Sequence, residues 1–130
     1  MKNIKKAFNV KEILIAIRHP IHGLKIAFLT EATIRWELII LIILIPLTFT
    51  ISQNITHQIL LISSWMFVII MELINTTIET IVDRIGFEHN RLSAKAKDIS
   101  SAAVLLAGLN AAIIWSLSII KFIIKIIVNG

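Results

Sequence analysis

The sequence predicts an all-α integral membrane protein: an N-terminal amphipathic surface helix over about residues 1–30, then transmembrane helices over about 32–52, 59–82 and 99–120. Three observations carry this expectation. Hydrophobic residues make up 57 % of the 130-residue chain, charged residues only 16 %, and mean hydropathy is +0.88. Soluble domains hold roughly 45–50 % apolar and about 25 % charged residues, so a soluble globule is excluded. The isoleucine and leucine runs over 38–47 and 113–120 leave no polar face for water to cover, as a soluble amphipathic helix would need. Basic residues also alternate by segment, with seven before the first long apolar run, none in the first link, four in the second loop and two beyond the third run.

Each element follows from its residues. Lys2, Lys5, Lys6, Lys11, Arg18 and Lys25 lie among Ile4, Phe8, Ile13, Leu14 and Ile17 at helical spacing, the pattern of a basic helix lying in the membrane surface. His19, Pro20 and Gly23 predict an interruption of that helix, since proline lacks an amide proton and glycine disfavours helix interiors. No continuous apolar core with a small-residue cleavage site marks a secretory signal. In the first span Pro46 is tolerated as a kink, because neighbouring helices can satisfy the freed carbonyl. Residues 53–58 read as a polar link, and 59–82 as a second span carrying Glu72 and Glu79. Asp83, Arg84 and Gly86 predict its end, and Ser93 is the expected N-cap of the next helix. Residues 99–120 hold no charge, and Lys121 and Lys125 follow them.

The charge alternation places the N-terminus and second loop in the cytoplasm and the C-terminus on the far side, with Trp36 and Trp115 towards opposite interfaces. Because the basic residues are interleaved with apolar stretches, lipid headgroups and nucleotide phosphates fit as partners better than nucleic acid. There is no cysteine for a disulfide or thiolate site, and His19, His22, His57 and His89 lack zinc-ligand spacing. P-loop, protein-kinase and G-x-S-x-G motifs are absent from the sequence, so nucleotide chemistry would need an unrelated scaffold. No internal repeat points to an inverted-repeat transporter.

Chemistry concentrates on one stripe. Glu72, Asn75, Glu79 and Asp83, spaced by three, four and four, share one helix face. An ionised carboxylate facing hydrocarbon costs about 2.5–3.5 kcal/mol, so the two glutamates need a cation, a metal or a proton. They are separated by about 10 Å along the axis at 1.5 Å per residue, too far to share one ion. Glu79 and Glu31, together with phosphate oxygens and water, would suit Mg²⁺, leaving the deeper Glu72 to act on something arriving from the bilayer. Glu88, His89, Asn90, Arg91, Lys95, Lys97 and Asp98 crowd the mouth of the stripe, where the lysines could neutralise phosphate and the acids accept hydrogen bonds. The plainer alternatives are polar glue, with the stripe paired to Arg35 or Lys97, and a solvated connector for the loop.

The run Glu72-Leu-Ile-Asn75-Thr-Thr-Ile-Glu79-Thr-Ile-Val-Asp83-Arg84-Ile-Gly86, followed by Ala94-Lys95-Ala96-Lys97-Asp98, resembles the core of the bacterial diacylglycerol kinases. Gly23-Leu24-Lys25 and Glu31-Ala32-Thr33-Ile34-Arg35-Trp36-Glu37 extend the resemblance over roughly residues 23–120. It implies a single kinase domain in the bacterial inner membrane, assembled as a homotrimeric helical bundle with active sites shared between subunits. It further implies transfer of the γ-phosphate of MgATP to diacylglycerol, giving phosphatidate. By matching position, Glu72 would be the general base, and Glu31 and Glu79 would bind the metal with ATP. Glu88, His89, Asn90, Lys97 and Asp98 would line the nucleotide site, while Arg35, Trp36, Glu37, Asn75 and Ser101 would contact or orient the lipid and the catalytic carboxylate. Glu12 and the His19–Pro20 pair depart from the family pattern, so no contact is carried over to that helix. Two other functions fit the same residues. One is an undecaprenol kinase of the same fold; the other is a small ion-coupled transporter or assembly subunit, with Glu72 and Glu79 relaying protons or pairing with partner helices.

Overall fold

The computed structural model describes residues 10–85 and 90–129. Four helices follow one another: α1 (Val10–Thr30), α2 (Ala32–Ile51), α3 (Ile55–Ile85) and α4 (Arg91–Asn129). Those after α1 are each long and apolar enough to cross a membrane.

Four local expectations need correction. First, α1 runs unbroken through Pro20 and Gly23. Pro20 leaves only the Ala16 carbonyl without its helical donor, and residues 15–26 are all exposed, so water or headgroups can satisfy that carbonyl. The chain breaks instead at Glu31, whose backbone is extended (φ −102°, ψ 117°). Second, α3 starts at Ile55 rather than residue 59, because Asn54 Oδ1 accepts the His57 amide (3.1 Å) and Gln58 Nε2 donates to the Ser52 carbonyl (2.7 Å). Polar Thr56, His57 and Gln58 therefore form a first helical turn, and the link shrinks to Ser52, Gln53 and Asn54. Third, Asn90 rather than Ser93 caps α4, its Oδ1 accepting the Leu92 amide at 2.8 Å. Fourth, Trp115 faces the protein rather than lipid: it is buried, and its Nε1 donates to the Leu61 carbonyl at 3.2 Å. Trp36 is 65 % exposed.

The principal packing is α3 on α4, with α2 flanking α3 and α1 meeting mainly α2. Leu61, Ser64, Val68 and Asn75 of α3 face Ser100, Ala107, Ala111, Trp115 and Ser118 of α4, all buried. Steps of three, four and seven along both helices, with small residues on α4, form a seam that lets the backbones approach closely. Val68, Ala107 and Ala111 make its apolar centre, with Trp65 and Met71 packed against them. Ala111 is 0 % exposed, so Ala111→Leu is expected to wedge the seam apart and cost about 1–3 kcal/mol. A lowered unfolding midpoint in detergent checks this; an unchanged midpoint would mean that the seam is loose.

Most other large apolar side chains point outward, including Ile42, Leu105, Leu106, Leu117 and Ile127. The accessible surface is 10590 Å², against about 6,900 Å² expected for a compact soluble chain of this mass. That excess is the surface that lipid, or further copies of the chain, would cover.

Candidate active site

The stripe on α3 lies in the interhelical space at the end of the bundle where α1 meets α2 and α4 begins. Its deepest acid, Glu72, is half-buried, beside the Thr33 hydroxyl and within electrostatic reach of Glu37, Glu79 and Glu31. Two helices thus bring four carboxylates together, with Glu31 and Glu37 from α2 and its start and Glu72 and Glu79 from α3. Glu37 is 8 % exposed, and its Oε2 has no hydrogen-bond partner, while its backbone carbonyl accepts the Trp65 indole N–H at 2.9 Å.

Asn75, also 8 % exposed, links α3 to α4. Its Nδ2 donates to Glu79 Oε1 at 2.9 Å. Ser100 Oγ stands 2.6 Å from Asn75 Oδ1 and 2.9 Å from the Lys97 carbonyl, and gives its single proton to one of them at a time. One turn nearer the loop, Lys97 forms an ion pair with Asp83.

Glu31 occupies the N-cap position of α2 without making a side-chain cap, which leaves its carboxylate available. Arg35 folds back over the elbow, Nη1 donating to the Phe28 and Leu29 carbonyls at 3.1 Å each. It therefore ties down the last turn of α1, and the polar-glue alternative that paired it with the acidic stripe does not hold. Lys97 does pair with the stripe, at Asp83.

Two concave surfaces flank these groups. An open groove of about 610 Å³ between α1 and α3 is lined by Leu24, Ala27, Glu31, Leu73, Thr76 and Thr80, among others. On α3, Thr76 is rotated about 40° from Glu72 but Leu73, Thr77, Thr80 and Ile81 lie about 80–180° away, so the groove opens on the face next to the acidic stripe, and Glu31 is the carboxylate that lines it. At the start of α4, Arg91, Leu92, Ala94, Lys95 and Asp98 line a second, polar recess of about 610 Å³.

Of the residues expected in the site, Glu31, Glu37, Glu72, Asn75 and Glu79 come together, and Lys97 and Asp98 stand at the mouth on different faces of α4. Asn90 is spent on capping α4. Trp36 and Ser101 are exposed. Glu88 and His89 lie outside the described residues. Ser100, Thr33 and Trp65 were not expected, yet each contacts a member of the set. The serine pair at 100–101 carries a signal, but which serine faces α3 depends on the rotation of α4, about 100° per residue.

No three His, Asp or Glu side chains among the described residues converge to hold a metal alone. Glu31, without a side-chain cap bond, and Glu79, held by Asn75, are the carboxylates that could join ligands from elsewhere. This fits Mg²⁺, which retains waters and takes substrate phosphate oxygens rather than an all-protein cage.

Residues 18–119 match the family model for prokaryotic diacylglycerol kinase. The chain is similar to the diacylglycerol kinase of Haemophilus influenzae, 40 % identical over 110 residues that cover 85 % of this chain and 93 % of that protein. It is also similar to that of Escherichia coli K12, 40 % identical over 103 residues, 79 % and 84 % of the two chains. With that of Helicobacter pylori 26695, identity is 32 % over 120 residues, 92 % and 94 % of the two. An all-α membrane chain with this acidic stripe, matched along most of its length, belongs to the prokaryotic diacylglycerol kinase family.

Proposed function

We propose that the protein is a membrane lipid kinase that transfers the γ-phosphate of MgATP to diacylglycerol, with Glu72 as general base. The single observation that carries this reading is the half-buried Glu72 within electrostatic reach of three other carboxylates. That gathering of charge is costly unless a cation or a proton offsets it, and a metal carrying ATP phosphates together with the acceptor's proton would supply both.

Each residue then has a task. The groove between α1 and α3 receives the lipid, its acyl chains against Leu24 and Leu73 and its free hydroxyl towards Glu72. That hydroxyl oxygen attacks the γ-phosphorus as its proton passes to Glu72, and the bond from the γ-phosphorus to the β,γ-bridging oxygen breaks to release ADP. Glu31 and Glu79 would hold Mg²⁺, Asn75 keeping Glu79 in place through its 2.9 Å bond. Bound Mg²⁺ supplies charge neutralisation at the phosphate oxygens. Lys97, now paired with Asp83, serves the polyphosphate, with Asp98, Glu88 and His89 about the nucleoside and Asn90 holding the start of α4. Arg35 holds the elbow beside the lipid, and Glu37, Trp36 and Ser101 orient the acceptor and the base. Phosphoryl transfer asks mainly for positioning and charge neutralisation, which this set supplies.

The chain acts as one domain in the inner membrane, with the stripe facing the cytoplasm. Eleven of its 13 Lys and Arg residues precede the first apolar run or lie at the end of α3 and the start of α4. A homotrimer with shared sites would cover part of the exposed apolar side chains.

The test is transfer of labelled γ-phosphate from MgATP to diacylglycerol and, separately, to undecaprenol in mixed micelles. Diacylglycerol labelling is expected, with Glu79→Gln raising the Mg²⁺ needed for half-maximal rate about tenfold or more. Preferential undecaprenol labelling would reassign the acceptor. No labelling of either lipid by folded protein would overturn the kinase reading in favour of a transporter or assembly subunit.

A further inference from the structure

A concave space of about 1030 Å³ lies at the opposite end of the bundle, between the α2–α3 link and the last third of α4. Ser118, Lys121, Phe122 and Lys125 line it from one face of α4, at steps of three, one and three. Across the space are Ser52, Gln53, Asn54 and His57, and His57 Nε2 lies 2.8 Å from Ser118 Oγ, pinning the two helices at this level. Leu60 and Leu117 add an apolar wall.

Charge decides what this space can hold. Residues 38–71 and 99–130 contain no Asp or Glu, so Lys121 and Lys125 are the only formal charges in that half of the sequence. Among the described residues the one ion pair, Lys97 with Asp83, is at the other end of the molecule. Beyond Ser118, α4 continues for eleven residues, about 16 Å, rich in exposed Ile123, Ile124, Ile126, Ile127 and Val128. The two lysines stand about 5 and 10 Å past Ser118 along the axis, on the side that faces the polar link. A lysine left in hydrocarbon is costly, so this face sits at headgroup depth and offers two cations without a protein anion. A free anion would use the lysines alone; the adjoining Leu60, Leu117 and Phe122 wall fits a ligand with an acyl chain.

We propose that this cavity binds one anionic phospholipid of the leaflet opposite the carboxylate stripe. Its phosphate lies between Lys121 and Lys125, with the amide groups of Gln53 and Asn54 beside it and its chain along Leu60, Leu117 and Phe122. The site is independent of the kinase reaction and goes beyond it.

Native mass spectrometry of the full-length assembly, taken from equimolar phosphatidylglycerol and phosphatidylcholine, tests the site. Phosphatidylglycerol retention is expected to fall about tenfold in the Lys121→Gln, Lys125→Gln double variant, from two phosphate-facing cations removed. The Lys121→Arg, Lys125→Arg variant is expected to retain it. Unchanged retention in the glutamine variant, or equal loss in the arginine variant, would overturn the proposal. So would displacement of the lipid by inorganic phosphate, which would mark a free-anion site, or Lys125-to-Lys125 cross-linking between copies in place of bound lipid. Because the readout is bound lipid, failure of the kinase reading would leave this result standing.

Discussion

Glu72→Gln is expected to lower kcat for diacylglycerol phosphorylation at least a hundredfold, with KM for MgATP changed less than about threefold. A positioned general base contributes typically 10²–10⁴-fold, and a hundredfold loss is about 2.7 kcal/mol of transition-state stabilisation. The substitution preserves shape and removes one negative charge from a group of four that includes Glu31, Glu37 and Glu79. Like-charge repulsion falls, so the folded protein should be as stable as the parent or more so. Lost activity with retained stability is therefore the signature, read by steady-state kinetics beside an unfolding curve. Retention of more than a tenth of the activity would remove Glu72 from the base role. Lost stability together with lost activity would make it structural.

The second large effect is at Asn75. Its amide contacts Glu79 and Ser100 from a buried position, so Asn75→Ala releases the Glu79 carboxylate and the α3–α4 link in one step. We expect about 1–3 kcal/mol of lost stability and about a hundredfold lower turnover, since a displacement near 1 Å can cost that much. Asn75 acts through Glu79 as a positioning residue, so the half-saturating Mg²⁺ concentration should rise as well. Ser100→Ala separates the two links. It leaves the Nδ2 bond to Glu79 intact, and turnover should stay within about threefold. A normal Mg²⁺ dependence in Asn75→Ala would sever Asn75 from the metal site.

Much of this protein is legible in its residues. Hydropathy and the uncharged runs suffice for three spans, because backbone in lipid must satisfy its own hydrogen bonds. The spacing of Glu72, Asn75, Glu79 and Asp83 is enough to put them on one face, because helical periodicity is local. Helix ends were less legible. Thr56, His57 and Gln58 look like a link by polarity, yet the Asn54 side chain makes them a first turn. Asn90 and Ser93 are both acceptable caps by type, and only the traced backbone distinguishes them.

Which groups meet is a different matter, because it depends on the rotation and axial offset of one helix against another. Nothing local says that Ser100 rather than Ser101 reaches Asn75, that Arg35 turns back to α1, or that Trp115 is buried against Leu61. A single-residue change of register turns a helix by about 100° and would exchange each of these partners. The four-carboxylate cluster itself joins residues 31 and 37 to 72 and 79 across two helices, a proximity that packing creates. The sequence by itself determined the membrane fold, the acidic stripe and the family pattern, all of which rest on composition and local periodicity. The tertiary structure alone set the partners of Asn75 and Lys97, the unpartnered Glu37 and the lysine-lined cavity, because side-chain contacts between helices follow from packing of the small-residue seam.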